Sequence, residues 1–344
     1  MLEIVIIQEK GNYQSMSSNN RTLSYSLAIN EALYQAMASD KSVFLIGQGV
    51  KSPWYVGNTC KGLLEEFGPE RVIDTPVSEN AITGAALGAA LVGMRPVVVH
   101  PRMDFMMYAM DPIINQAANW HYMCGGRSSA PVVIWGIVNR GGEQAAQHSQ
   151  AFQALFAHIP GLKVVAPSTP YDAKGLMISA IRDENPIIFI DDRWLYNVES
   201  KVPRGMYTVP IGKAMIRRRG RDVTLVAASY MALEAAQAVR DLEKEGIDVE
   251  LIDLRSLKPF DTDLLFDSVK KTGRSVVVDG GWKTCGVAAE ITALVSENVF
   301  KSLRGPILRV SLPDSPAPAS SALEDAYYPK AKDIYDAVVK TMKY

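Results

Sequence analysis

A regular alternation constrains this chain more than any other feature of its sequence. Short, nearly continuous apolar runs rich in β-branched residues recur at 43–47, 97–99, 132–138, 163–166 and 187–190. Helical stretches near 80–92, 106–123, 149–157 and 171–183 separate them. Runs that are apolar on both faces and bounded by Gly and Pro suit strands buried in a parallel sheet, with the intervening helices covering both sides. An earlier helix is marked by Ile29, Leu33, Ala36 and Met37, which share one face. Residues 197–213 (NVESKVPRGMYTVPIGK) break the pattern with Pro203, Gly205, Pro210 and Gly212. The pattern then resumes on a smaller scale, with strands at 223–228, 249–252, 275–279 and 307–309 and helices near 230–245, 261–271 and 284–301. A Pro-rich tract at 312–321 precedes a last helix at about 330–342. The expected fold class is α/β in two domains, divided as an N-terminal arm 1–21, a first domain 22–200, a linker 201–213 and a second domain 214–344.

The 344 residues fit two domains, and 48% hydrophobic content supplies their cores. A net charge of -1 argues against a nucleic-acid partner; the one dense basic run, Arg217-Arg218-Arg219 with Arg221, reads as a solvated turn. No apolar run of about 20 residues is present to span a membrane. The opening MLEIVIIQEK, interrupted by Glu3 and Glu9, does not read as a signal peptide. Cys60, Cys124 and Cys285 lie far apart with no CxxC, which suits a reducing, cytoplasmic setting. No HExxH, P-loop or GxGxxG after a strand occurs, so no metal-ligand set is expected from this chain.

Open parallel sheets bind ligands beyond the carboxyl ends of their strands, so residues there are the site candidates. Glu79 follows a strand ending near Thr75-Pro76, with Ser78 placed to cap the next helix. That helix is unusually small-sided (Gly84, Ala85, Ala86, Gly88, Ala89, Ala90), which permits close approach of another backbone. Glu79 reads either as a site carboxylate or as a first-turn acid favoured by the helix dipole. His148, in GGEQAAQHSQAF, belongs to a strand-end loop with polar neighbours, whereas His121 reads as packing and His158 as surface or packing. The Met- and aromatic-rich run from His100 to Tyr108 reads as pocket lining or as core.

At these residues the sequence resembles the β subunits of pyruvate, branched-chain 2-oxoacid and acetoin dehydrogenases. The resemblance covers 22–344 and includes RVIDTPVSE (71–79), GAALG (84–88), MDPIINQAA (110–118), AAQHSQ (145–150), GLKVVAPSTPYDAKGL (161–176), DLRSLKPFD (253–261) and DGGWKTCGVAAEI (279–291). It implies a pyrimidine-binding domain followed by a transketolase C-terminal-like domain, with thiamin diphosphate as cofactor. It also implies an α subunit, in an α2β2 heterotetramer, whose GDG…N motif holds Mg²⁺ and the diphosphate; that motif does not occur here. A lipoyl-bearing acyltransferase would accept the acyl group. By the resemblance, Glu79 contacts N1′ of the aminopyrimidine, and desolvation favours its protonated form. Phe105 packs on that ring, and His148 lies toward the substrate. One departure stands out: His100-Pro101-Arg102-Met103 replaces a Phe-Met-Thr-Phe-like run, and Tyr108 stands where glutamine is common. This makes His100 and Arg102 candidates for the substrate channel and Tyr108 a candidate for cofactor contact. A split transketolase-like or acyloin-forming carboligase and a non-catalytic assembly subunit are the alternative readings.

Overall fold

The structure, a computed structural model, describes residues 20–344, so the N-terminal arm lies almost wholly outside the described residues. Fourteen strands occur among them. In the first half these are β1 (Asn20–Ser24), β2 (Val43–Gln48), β3 (Val72–Thr75), β4 (Arg95–His100), β5 (Val133–Val138), β6 (Lys163–Val165), β7 (Ile187–Asp192) and β8 (Glu199–Pro203). In the second they are β9 (Met215–Arg218), β10 (Val223–Ala227), β11 (Val249–Asp253), β12 (Ser256–Lys258), β13 (Ser275–Trp282) and β14 (Leu308–Leu312). The large sheet runs β12-β6-β7-β5-β4-β2-β3, and every pair is parallel except the one made by β12. Its two faces carry separate cores. One gathers Ile82, Met103, Met106, Ile134 and Ile188, the other Ile29, Leu33, Leu45, Trp135 and Phe189. The smaller sheet, β14-β13-β10-β11-β9, is parallel except for β9.

The chain goes from β2 out to the edge strand β3 and returns across β2 to β4. Strand order therefore reverses between β2 and β4, where the carboxyl-end loops diverge and leave a crevice. The helix Glu79–Leu91 makes this return. Ile82, Thr83, Ala86, Leu87 and Ala90 face the sheet, while Ala81, Ala85 and Gly88 are exposed. A Cβ added at Gly84 or Gly88 meets nothing within 4 Å, so no part of this chain takes up the close approach that the small side chains permit. Gly136 is different. A Cβ there would lie 2.4 Å from Met106 Sδ, so its bare backbone lets the segment after β4 rest on the sheet.

Three sequence readings need correction. Arg217 is not in a solvated turn: it lies in β9, half-buried, and its guanidinium pairs with the buried Asp172 and Asp253. Two buried carboxylates outweigh the polarity that suggested solvent exposure. His121 is exposed rather than packed, with Nδ1 2.9 Å from the Ser128 carbonyl oxygen. The expected helix 106–123 is three short pieces, a 3-10 turn Met103–Ala109, a π-helical turn Asp111–Ala117 and an α-helix Ala118–Met123. The stretch between the sheets is packed rather than loose. Lys174 Nζ donates to the carbonyls of Pro203 (2.8 Å) and Gly205 (2.9 Å), Val209 N bonds Gly175 O, and Tyr207 stacks on Tyr171. No helix among the described residues is long and apolar enough to cross a membrane.

Candidate active site

Glu79 is the first residue of its helix, just beyond the carboxyl end of β3, and is 8% exposed. Ser78 stands at the N-cap position but its hydroxyl makes no capping bond, its backbone (φ -166°, ψ 66°) lying outside the usual capping region. The Glu79 carboxylate makes no hydrogen bond or ion pair among the described residues. The residue is largely buried, yet its carboxylate oxygens are not among the buried unpartnered atoms, so they keep an opening to the crevice through which a group from outside the chain can reach them. One turn along, Thr83 Oγ1 lies 3.0 Å from Nε2 of His100 at the end of β4. Burial pushes the His100 imidazole down to about 4, so it is neutral at ordinary pH. Its Nδ1 has no partner. His100 is 1% exposed, which places it beneath the crevice floor in this chain taken alone.

Phe105 and Tyr108 both come from the 3-10 turn Met103–Ala109. A spacing of three aligns side chains on one face of such a turn, so the two rings project along one edge. Phe105 is half-buried and Tyr108 is 69% exposed. His148 ends the short helix Ala145–His148, and its ring meets Phe105 edge-to-face at 5.2 Å between centroids and 88°. The fold thus joins two candidates that are 43 positions apart. Arg102 stands at the start of the same turn; its Nη1 donates to Pro101 O (2.9 Å) and its Nη2 reaches Gln144 Oε1 (3.4 Å) on the His148 loop.

Asp104, which the sequence reading passed over, ties these pieces together. Its Oδ1 accepts from the backbone N (3.1 Å) and Nε2 (2.9 Å) of Gln150, anchoring the His148 loop to the Phe105 turn. Burial pushes the Asp104 carboxyl up, while Gln150's bonds and the His148 charge act against that shift. Glu143 holds the other end of the loop. Its N–H donates to both carboxylate oxygens of Glu324 at 3.0 Å, and its own Oε1 accepts from Ser321 N at 3.3 Å. The signal was available in the acid-amide pairs flanking Phe105 and His148, but their meeting depends on tertiary structure. Several buried polar atoms around the crevice lack any partner, among them Thr75 Oγ1, His100 Nδ1, Arg102 Nε, Asp104 Oδ2 and Ser149 Oγ.

An unpartnered carboxylate on a helix that packs against the turn carrying Phe105 fits an aminopyrimidine, whose ring nitrogen needs an acidic partner and whose faces need apolar contact. Residues 21–199 match the pyrimidine-binding domain of transketolase, and residues 212–334 match its C-terminal domain. The β subunit of acetoin:2,6-dichlorophenolindophenol oxidoreductase from Cupriavidus necator is 47% identical over 333 residues, covering 94% of this chain and 98% of the relative. The β subunit of the pyruvate dehydrogenase E1 component from Rickettsia felis is 43% identical over 317 residues, covering 92% and 97%. A solved split-gene transketolase, described as an inactive β4 tetramer, superposes with a TM-score of 0.77 at 23% identity over 93% of this chain and 98% of its own, which speaks to fold alone. The chain belongs to the family of β subunits of thiamin-diphosphate-dependent 2-oxoacid dehydrogenases, within the transketolase-like superfamily.

Proposed function

We propose that this chain forms the aminopyrimidine side of a thiamin diphosphate site that an α subunit completes, for decarboxylation of a 2-oxoacid and transfer of the acyl group to a lipoyl carrier. The observation that carries the reading is the largely buried Glu79 at the strand-order reversal, whose carboxylate has no partner in this chain. Thiamin diphosphate, when bound, supplies an electron-accepting thiazolium carbon for cleavage beside a carbonyl. In this proposal Glu79 shares a proton with N1′ of the aminopyrimidine, and Phe105 packs on the ring. Tyr108, exposed on the same edge, adds a second contact once a partner covers it. His148 moves a proton at the substrate end, held there by Phe105 and by the Asp104–Gln150 anchor. His100 and Arg102 shape the substrate side.

The open small-residue face of Glu79–Leu91 supports a partner chain, since a smooth helix face admits another backbone closely. Mg²⁺ and the diphosphate fall to the α subunit, in an α2β2 assembly with an acyltransferase as acceptor. Unpaired Cys60, Cys124 and Cys285 suit a reducing, cytoplasmic setting for it. Acetoin in the name of one relative makes a ketol the second substrate to try. The test is Glu79→Gln in the complex reconstituted with its α chain. Turnover should fall by about 10²- to 10⁴-fold, the usual reach of a positioned proton-transfer group, with the subunits still co-eluting. Unchanged turnover would refute the role given to Glu79.

A further inference from the structure

Two arginines flank the His148 loop with no carboxylate in direct contact with either. Arg102 approaches the loop through Gln144. Arg193 follows β7, and the next residue, Trp194, packs so closely on the loop that a Cβ at Gly141 (φ +68°) would lie 2.2 Å from its ring. Both guanidiniums are half-buried, and both bond only neutral acceptors: Arg102 the Pro101 carbonyl and the Gln144 amide, Arg193 the carbonyls of Trp54 (3.0 Å) and Tyr55. Neither makes an ion pair among the described residues, and the Nε of each is buried without an acceptor. Asp104 acts on Arg102 only through space, its Oδ1 being taken by Gln150. Burial first, and then the neighbouring Arg193 charge, push the Arg102 guanidinium below its ordinary range. Arg193 likewise feels the buried Asp191 only through space. Two half-buried guanidiniums flanking one loop, with carboxylates near but none in direct contact, are left with unmet donors that an added oxyanion would fill.

Their position suggests which anion. Trp54 and Tyr55 follow β2, Arg102 follows β4, and the reversal between these strands is the crevice where an open parallel sheet takes its ligand. We infer that Arg102 and Arg193 form an oxyanion subsite that selects substrates carrying an anionic group, carboxylate or phosphate, besides the carboxylate lost in the reaction. This rests on the 2-oxoacid reading above and names the substrate class for it. Arginine suits the task because its planar fork meets either oxyanion in a bidentate fashion while staying charged.

The test uses the complex reconstituted with the α chain, thiamin diphosphate and Mg²⁺. kcat/KM is measured for 2-oxoglutarate, with its second carboxylate, and for 2-oxobutyrate, with a neutral side chain. In parallel, calorimetry follows binding of succinate and of inorganic phosphate to the same complex without turnover. Losing a charge-assisted contact should cost about ten- to hundredfold. The expected result in R102Q and R193Q is a loss of that size in the 2-oxoglutarate to 2-oxobutyrate ratio or in the affinity for one of the two anions, with R102K intermediate. Whichever anion binds the wild type identifies the oxyanion. If ratio and affinities are both unaltered, or if the variants instead lose the α chain on size exclusion, the inference is overturned; the latter outcome would make the arginines contacts to a partner carboxylate. If the wild type binds an anion through Arg102 but turns over neither these two 2-oxoacids nor pyruvate nor a branched-chain 2-oxoacid, the dehydrogenase reading fails and the subsite stands.

Discussion

Two buried polar regions of this molecule are built on opposite terms. Where the sheets meet, Asp172 receives Arg217 and Arg255, Asp253 receives Arg217 and the Ser168 hydroxyl, and Arg255 also donates to the Lys213 carbonyl. Burial alone would raise the Asp172 carboxyl, but the two arginines overcome it and hold the group below the usual range. At the carboxyl edge of the large sheet, by contrast, Glu79 has no partner, and polar atoms of Thr75, His100, Arg102, Asp104 and Ser149 go unmet. Apart from the Glu79 carboxylate, which keeps an opening to the crevice, both sets of polar atoms are buried, so burial does not distinguish them; satisfaction does. A saturated network holds the protein together, whereas an unsatisfied one stores free energy that a ligand or partner can release.

Arg217→Met leaves Asp172 and Asp253 buried with less compensation, and denaturant unfolding should show a loss of about 3–5 kcal/mol, the cost of removing one member of a buried ion pair. A variant within 1 kcal/mol of the wild type by that measure would show that the junction is not the structural network described. His100 tests the other region through pH. Its imidazole is held at about 4 in the fold against an ordinary 6.5, so between these values the unfolded chain binds a proton that the folded chain refuses. The stability from neutral His100 is therefore full above 6.5 and is lost as the pH falls through 4, with a slope of at most about 1.4 kcal/mol per pH unit. Asp191 acts in the opposite sense: burial pushes its carboxyl up to about 7, and the stability it contributes is lost as the pH rises through that value. Unfolding of His100→Gln and wild type at pH 7, 6 and 5 isolates the histidine's share, and parallel curves would remove it. The smallest effect should come from Glu79→Gln in the isolated chain. With no partner to lose, stability should hold or rise by up to about 1 kcal/mol, even as the same change lowers turnover in the complex.

The strands most plainly written in the sequence were those whose burial is two-sided. Val43–Gln48, Val133–Val138 and Ile187–Asp192 are apolar because each is covered above and below, a constraint local enough to read directly. Met215–Arg218 was not legible, because Arg217 answers to Asp172 and Asp253 and Arg218 to Asp248 and Glu243, all distant in sequence. Asn20–Ser24 and Glu199–Pro203 escaped for a similar reason, each being a strand only through the other. The helix Ser321–Tyr327 was hidden behind a Pro-rich tract. The site divides in the same way. Glu79 and His148 stood out through strand-end position and through the family resemblance. Arg193 carried no local signal, and its relation to Arg102 depends on a loop folded between them.

The strand Ser256–Lys258 belongs by sequence to the second half of the chain but lies antiparallel on β6, at the edge of the first half's sheet. The first half therefore closes its own sheet with borrowed backbone. Cutting the chain near residue 213 would leave the outer edge of Lys163–Val165 bare and open to pairing with other molecules, so aggregation rather than a soluble pyrimidine-binding fragment should follow. A shared strand also resists hinge opening between the halves, since any such rotation must first break the ladder. Access to the crevice is then governed by the loop from Gly141 to Gln150 and by whatever chain covers it.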